Sequence, residues 1–157
     1  MFSFLKAKFK VRLEINKLHK DLKLAIALAK EASEMEPDIQ LDDGTTSSEI
    51  IALAHFRNGL IEYCYGYPRR AQKAFHESYQ VKPMQEAVFY NSICSFSMMG
   101  SKGIIIRGID NQKYYYSPIK RKKAINKIIE DLERMIDMDP ASDLALEAGK
   151  IIAKRRK

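Results

Sequence analysis

Residues 52–83 read ALAHFRNGLIEYCYGYPRRAQKAFHESYQVKP, and a ladder of small and aromatic residues runs through them. Ala52, Gly59, Gly66, Ala71, Phe75, Ser78 and Pro83 stand at steps of 7, 7, 5, 4, 3 and 5. Two helices are expected, about Ser48–Tyr65 and Arg69–Val81, parted by Gly66-Tyr67-Pro68 and closed before Pro83. Glycine supplies the turn, and proline cannot continue a helix interior. Small residues at the crossing let the two axes approach to about 8–10 Å, and the aromatic fills the hole against the next pair. One such pair cannot bury its own apolar face, so neighbours must stack on it.

Outward from this unit, its back half recurs. Upstream, Ala25, Ala29, Ala32 and Pro37 repeat it over EASEMEPD; downstream, Ile128, Leu132, Met135 and Pro140 repeat it more loosely over LERMIDMDP. Val11, Ile15, Leu18, Leu22, Ala25 or Ile26, and Ala29 form the stripe of an amphipathic helix. Residues 1–36 hold no Gly or Pro, so they form one long helix or two with a break near His19-Lys20-Asp21, where Asp21 would cap. Thr46 with Glu49 reads as a capping box after the loop DIQLDDGTTSSE. Pro83 is expected in the first turn of a helix over Met84–Met99, ended by Gly100. Ser117-Pro118 would open another to Met138, and a last one follows from Ala141 to the basic tail Lys154–Lys157. The count is about seven helices.

This ladder resembles the tetratricopeptide repeat (TPR) family. The resemblance implies an all-α fold, a right-handed α-solenoid of about three helix pairs with a capping helix. The units would be residues 5–37, 48–83 and 84–140, with the cap over 141–157, all in a single domain 1–157. In the third unit Phe89, Phe96 and Gly100 stand where the family places an aromatic, a tyrosine and the turn. His55, Asn58 and Glu62 depart from it, in slots where the family prefers Trp, Leu and Tyr. Phe56, Leu60 and Tyr63, close by, supply that stripe if the helix is shifted. The proline intervals, 46 residues from Pro37 to Pro83 and 57 from Pro83 to Pro140, exceed the family's period of about 34. A loop at Gly44 and an insertion at 103–117 account for the excess.

That insertion, GIIIRGIDNQKYYYSP (residues 103–118), reads as a β-hairpin with Asp110-Asn111 as a two-residue turn. Ile106 would then face Tyr115, and Arg107 would face Tyr114. Such a ribbon is marginal alone and must lean on helices or on a partner. Either one face packs on the third helix pair, or its edge forms a docking surface with Arg107, Lys113, Tyr114, Tyr116, Lys120, Arg121, Lys122 and Lys123.

The chain has 157 residues, 46% of them hydrophobic and 30% charged, which suits a globular domain. Its net charge of +7 is uneven: +5 over residues 1–20, −6 over 21–50 and +6 over 101–126. No apolar run reaches the roughly 20 residues of a membrane span. Cys64 and Cys94 lack ligand neighbours, which favours a reducing, cytoplasmic setting. The start, MFSFLKAKFK, sets Phe2, Leu5 and Phe9 among lysines. Peripheral membrane contact through residues 1–10 is one reading, and an apolar cap or dimer contact closing the first repeat is the favoured one.

Phosphate loops, Cys-x-x-Cys and His-Glu-x-x-His are absent from the sequence. His19, His55 and His76 fall on different helices, and His55 and His76 are placed to meet across the middle pair. The acidic run Glu31, Glu34, Glu36, Asp38, Asp42 and Asp43 lacks calcium-loop spacing. No metal, cofactor or catalysis is expected. The resemblance implies instead an interaction module with a short concave groove for a peptide or partner helix. Carried onto this chain, that groove is Arg57, Leu60, Tyr63 and Cys64 with Tyr90, Asn91 and Cys94. Self-association is a further expectation, and nucleic-acid binding by the basic hairpin and tail is the alternative.

Overall fold

The computed structural model describes residues 2–35, 40, 43–99, 104–116 and 120–156. Among them are six helices and one two-stranded ribbon: α1 (Phe2–Met35), α2 (Ser47–Cys64), α3 (Pro68–Val81), α4 (Gln85–Met98), β1 (Ile104–Arg107), β2 (Lys113–Tyr116), α5 (Arg121–Met138) and α6 (Asp143–Arg155). The class is all-α.

Local chemistry sets these boundaries. Thr46 Oγ1 accepts from Glu49 N at 3.2 Å and opens α2. Only half of the capping box forms, because the Glu49 carboxylate turns away to Lys82 Nζ at 2.5 Å. Gly66 takes φ +86 between α2 and α3, and Pro68 starts α3 at its first turn. Pro83 lies outside α4, whose cap is Met84; its ring keeps the preceding residue extended, as Lys82 is at φ −150. Ser142 Oγ accepts from Ala145 N at 3.0 Å and moves the start of α6 to Asp143. Lys120 caps α5, while Ser117-Pro118 and Gly100 lie outside the described residues.

Each helix packs on the next in chain order, and α2 also meets α4, as α4 meets α6. α1 is a single helix without a break at His19–Asp21, so the first unit supplies one helix, not a pair. His19 is tied side-on to α2 at that point, lying 3.1 Å from Glu62 Oε1 and against the Asn58 amide. α1 runs antiparallel to α2, with Arg12 at Glu62 near one end and Ser33 at Ser47 near the other.

The α2–α3 crossing is close. A Cβ on Gly59 would stand 2.6 Å from Phe75 Cδ1, so only glycine leaves room for that ring. Ser78 Oγ donates to the Ala52 carbonyl at 2.6 Å and closes the other end of the crossing. Phe75 is fully buried, flanked by Phe56 and Tyr90 with ring centres at 5.7 and 6.3 Å. From there one core runs through Val88, Cys94, Ile128, Leu132 and Met135 to Ile152. Gln85 Nε2 donates to the Met135 and Asp139 carbonyls at 2.7 and 3.0 Å, satisfying the open end of α5.

β1 and β2 pair antiparallel, but one residue out of the expected register: Ile106 faces Tyr114, and Arg107 faces Lys113. A two-residue turn at Asp110-Asn111 is not formed. Residues 108–112 make a longer loop in which Asn111 alone takes positive φ, 67, and Asp110 Oδ1 accepts from Gln112 N. The reason is Ile109, whose side chain leaves the loop and is wholly buried in the core. Burying it stabilises by roughly 1.5–3 kcal/mol, which outweighs the preference for a tight turn.

Candidate protein-binding interface

Four polar side chains hold the ribbon to the helices. His76 Nδ1–H donates to the Ile109 carbonyl at 2.7 Å, and Ile109 N–H donates to Asp131 Oδ2 at 3.0 Å. Asn91 Nδ2 donates to the Arg107 carbonyl at 3.1 Å, while Arg107 N–H donates to Gln72 Oε1 at 3.3 Å. Gln72 in turn donates to the Asn91 carbonyl and to Ser95 Oγ at 3.1 and 2.7 Å. Burial pushes the Asp131 carboxyl above its ordinary range, and the Ile109 bond pulls it partway back.

This reassigns several expected groove residues. Asn91 is 1% exposed and its amide nitrogen holds the ribbon, so it offers nothing to a peptide. Cys94 is buried, its thiol pushed up to about 12 by desolvation, and is inert packing. Leu60, Tyr63 and Tyr90 are brought together, half-buried against the main core. Tyr90 stacks edge-on with Phe89 at 5.5 Å. Cys64 and Arg57 are exposed. His55 and His76 do not meet: His55 Nδ1 lies 3.3 Å from Glu77 Oε2, and His76 is on the ribbon.

Arg57 does line a groove, though with different neighbours. Leu22 and Ala25 of α1, Ile50 and Leu53 of α2, and Pro83 and Met84 of the α3–α4 link bound a mostly apolar recess of about 500 Å³. Leu53 stands in it 40% exposed. Arg57 and the Glu49–Lys82 ion pair form its polar lip. Burial of this floor by a partner would remove apolar surface from water, the main favourable term in association.

Around the other side of α1 lies a polar cleft of about 680 Å³ between α1, α2 and α3. Glu62, in a slot of the apolar stripe, is nearly buried and takes a two-pronged ion pair from Arg12 at 2.8 and 2.9 Å. Burial works to raise its carboxyl, but Arg12 and His19 outweigh that and hold it below the usual value. Tyr67 presents its ring to both Arg12 and Arg70, at 5.6 and 5.3 Å.

Of the expected docking surface, Lys113, Arg121, Lys122 and Lys123 are exposed and Arg107 is half-buried. Tyr114 and Tyr116 are placed by backbone alone, opposite Ile106 and Ile104; their side chains lie outside what is described, as do those of Phe2, Leu5 and Phe9. In the tail, Arg155 lies 4.4 Å over the Phe96 ring and Arg156 pairs with Glu133, so two of its cations are engaged; Lys157 lies outside the described residues. Of the acidic run, Glu36, Asp38 and Asp42 also lie outside them. Among the described residues, no group of three or more His, Cys, Asp or Glu is placed to hold a metal ion, and no helix is long and apolar enough to cross a membrane.

Sequence reasoning missed Ile109 and Asp131, and marked Glu62 only as a departure from the repeat. A lone isoleucine in the polar run Gly108–Asn111 was a signal, since an apolar residue at a loop tip needs cover. A carboxylate in an apolar helix stripe was another, since it needs a cation. Comparison of the chain with protein-family models, with curated proteins and with solved structures finds no match.

Proposed function

We propose that this protein is a non-catalytic interaction module, a short TPR-like stack that seats an apolar partner segment in the recess between α1, α2 and the α3–α4 link. The observation that carries it is Leu53, standing half-open over that apolar floor with Arg57 at the lip. The seated segment is a peptide or helix with an apolar anchor for the floor and an acidic residue for Arg57. The packing of Gly59 on Phe75 and of Ser78 on Ala52 supports the repeat-like reading, as does the contact of α2 with α4 and of α4 with α6.

The test is capture from native extract with wild type and with Leu53→Glu and Arg57→Glu, followed by binding of the purified candidate. A partner lost with either variant and little affected by salt supports the groove. Capture that ignores both variants removes it.

A nucleic-acid reading has one observation in its favour. Arg121, Lys122 and Lys123 crowd the first turn of α5 with no acidic residue, at the end where the helix dipole is already positive. Binding there would fall steeply with salt, with a slope set by the phosphates neutralised.

A further inference from the structure

The face of α1 turned away from α2 is unusually apolar. Leu13, Leu24, Leu28 and Met35 are 47, 59, 56 and 83% exposed. With exposed Lys10, Lys17, Lys20 and Glu31 they step by three and four residues along one line of the helix. Neither recess described above includes any of these eight residues. Single exposed leucines are ordinary; a row of them on one helix face is a contact surface.

We propose that two copies of this chain pair antiparallel through this face of α1. Charge chooses the occupant and the direction. Along that line the N-terminal half carries Lys10, Lys17 and Lys20 and the C-terminal half carries Glu31, with exposed Glu14 and Asp21 on its flank. A two-fold axis between Lys20 and Asp21 sets Leu13 across from Leu28 of the other copy. The same register sets Lys10 across from Glu31 and Lys20 across from Asp21, each twice by symmetry. Lys17 falls on Leu24, along which its methylene stem can lie. A parallel pair would set Lys10, Lys17, Lys20 and Glu31 each against itself, which is repulsive at every charged step. An anionic membrane would accept the lysines but not Asp21 and Glu31. The surface is separate from the proposed groove, and the inference stands without it.

Sedimentation equilibrium over a concentration series is expected to show a monomer–dimer equilibrium. Leu24→Glu with Leu28→Glu should weaken it at least about tenfold with helicity by circular dichroism unchanged, since these side chains point into solvent. Lys10→Glu should weaken it, and adding Glu31→Lys should restore it. In a Cys64→Ser background, Leu13→Cys with Leu28→Cys should oxidise to a covalent dimer, while Leu13→Cys alone should not, its two copies lying roughly 22 Å apart along the helices. A monomer at every concentration overturns the proposal, as does a dimer indifferent to the Leu24/Leu28 change. Efficient cross-linking by Leu13→Cys alone overturns the antiparallel direction and with it the charge register.

Discussion

Glu62 and Asp131 are both nearly buried carboxylates, yet they sit on opposite sides of their ordinary acidity. Glu62 has the Arg12 guanidinium and the His19 ring as hydrogen-bond partners and is held low. Its contribution is therefore present above the ordinary value of 4.5 and fades as pH falls through the lowered one. Glu62→Gln should cost about 2 kcal/mol at neutral pH and markedly less in acid, read by urea unfolding at the two pH values. Asp131 is held high by burial, with only an N–H and a distant Arg134 to favour its charge. Its contribution is complete below the ordinary aspartate value and is lost as pH rises through the raised one. Asp131→Asn keeps an acceptor for Ile109 N–H but cannot ionise. Melting temperature against pH should lose its decline over that interval in the variant; a decline that persists assigns it to another group.

Among the elements, α2 and α3 were the most legible, because Gly59 makes room for Phe75, Gly66 takes the positive φ of the turn and Ser78 bonds across the crossing. Gly59→Ala tests that reason. Alanine favours a helix by up to about 1 kcal/mol, but its methyl would enter the Phe75 ring, which Phe56 and Tyr90 pin in place. Net destabilisation of about 1–3 kcal/mol is expected by thermal unfolding; a neutral result would mean the ring has room. α1 was legible as amphipathic but not as one piece, since the tie at His19 comes from α2, 39 and 43 residues away. The ribbon register was illegible for the same kind of reason. Turn propensity is local, whereas the pull on Ile109 comes from α3 and α5. Ile109→Ala should cost about 2–5 kcal/mol, and hydrogen exchange should rise first in Ile104–Tyr116.

For the whole molecule, the sequence foretold an all-α chain, but not which hollow stays open between its helices. Asn91 and Cys94 looked available and are taken up by the ribbon and the core, while Leu53 passed unremarked. Helical spacing says which residues share a face; the contents of that face depend on elements far along the chain.

Chain-order packing has a kinetic consequence. Hairpins of adjacent helices close short loops, and domains built from local contacts reach the native state in microseconds to milliseconds. Ile109 belongs to no helix hairpin and is seated on His76 from 33 residues downstream. Its docking should come last on refolding. A stopped-flow experiment would then show a fast gain of helicity followed by a slower phase, which Ile109→Ala abolishes.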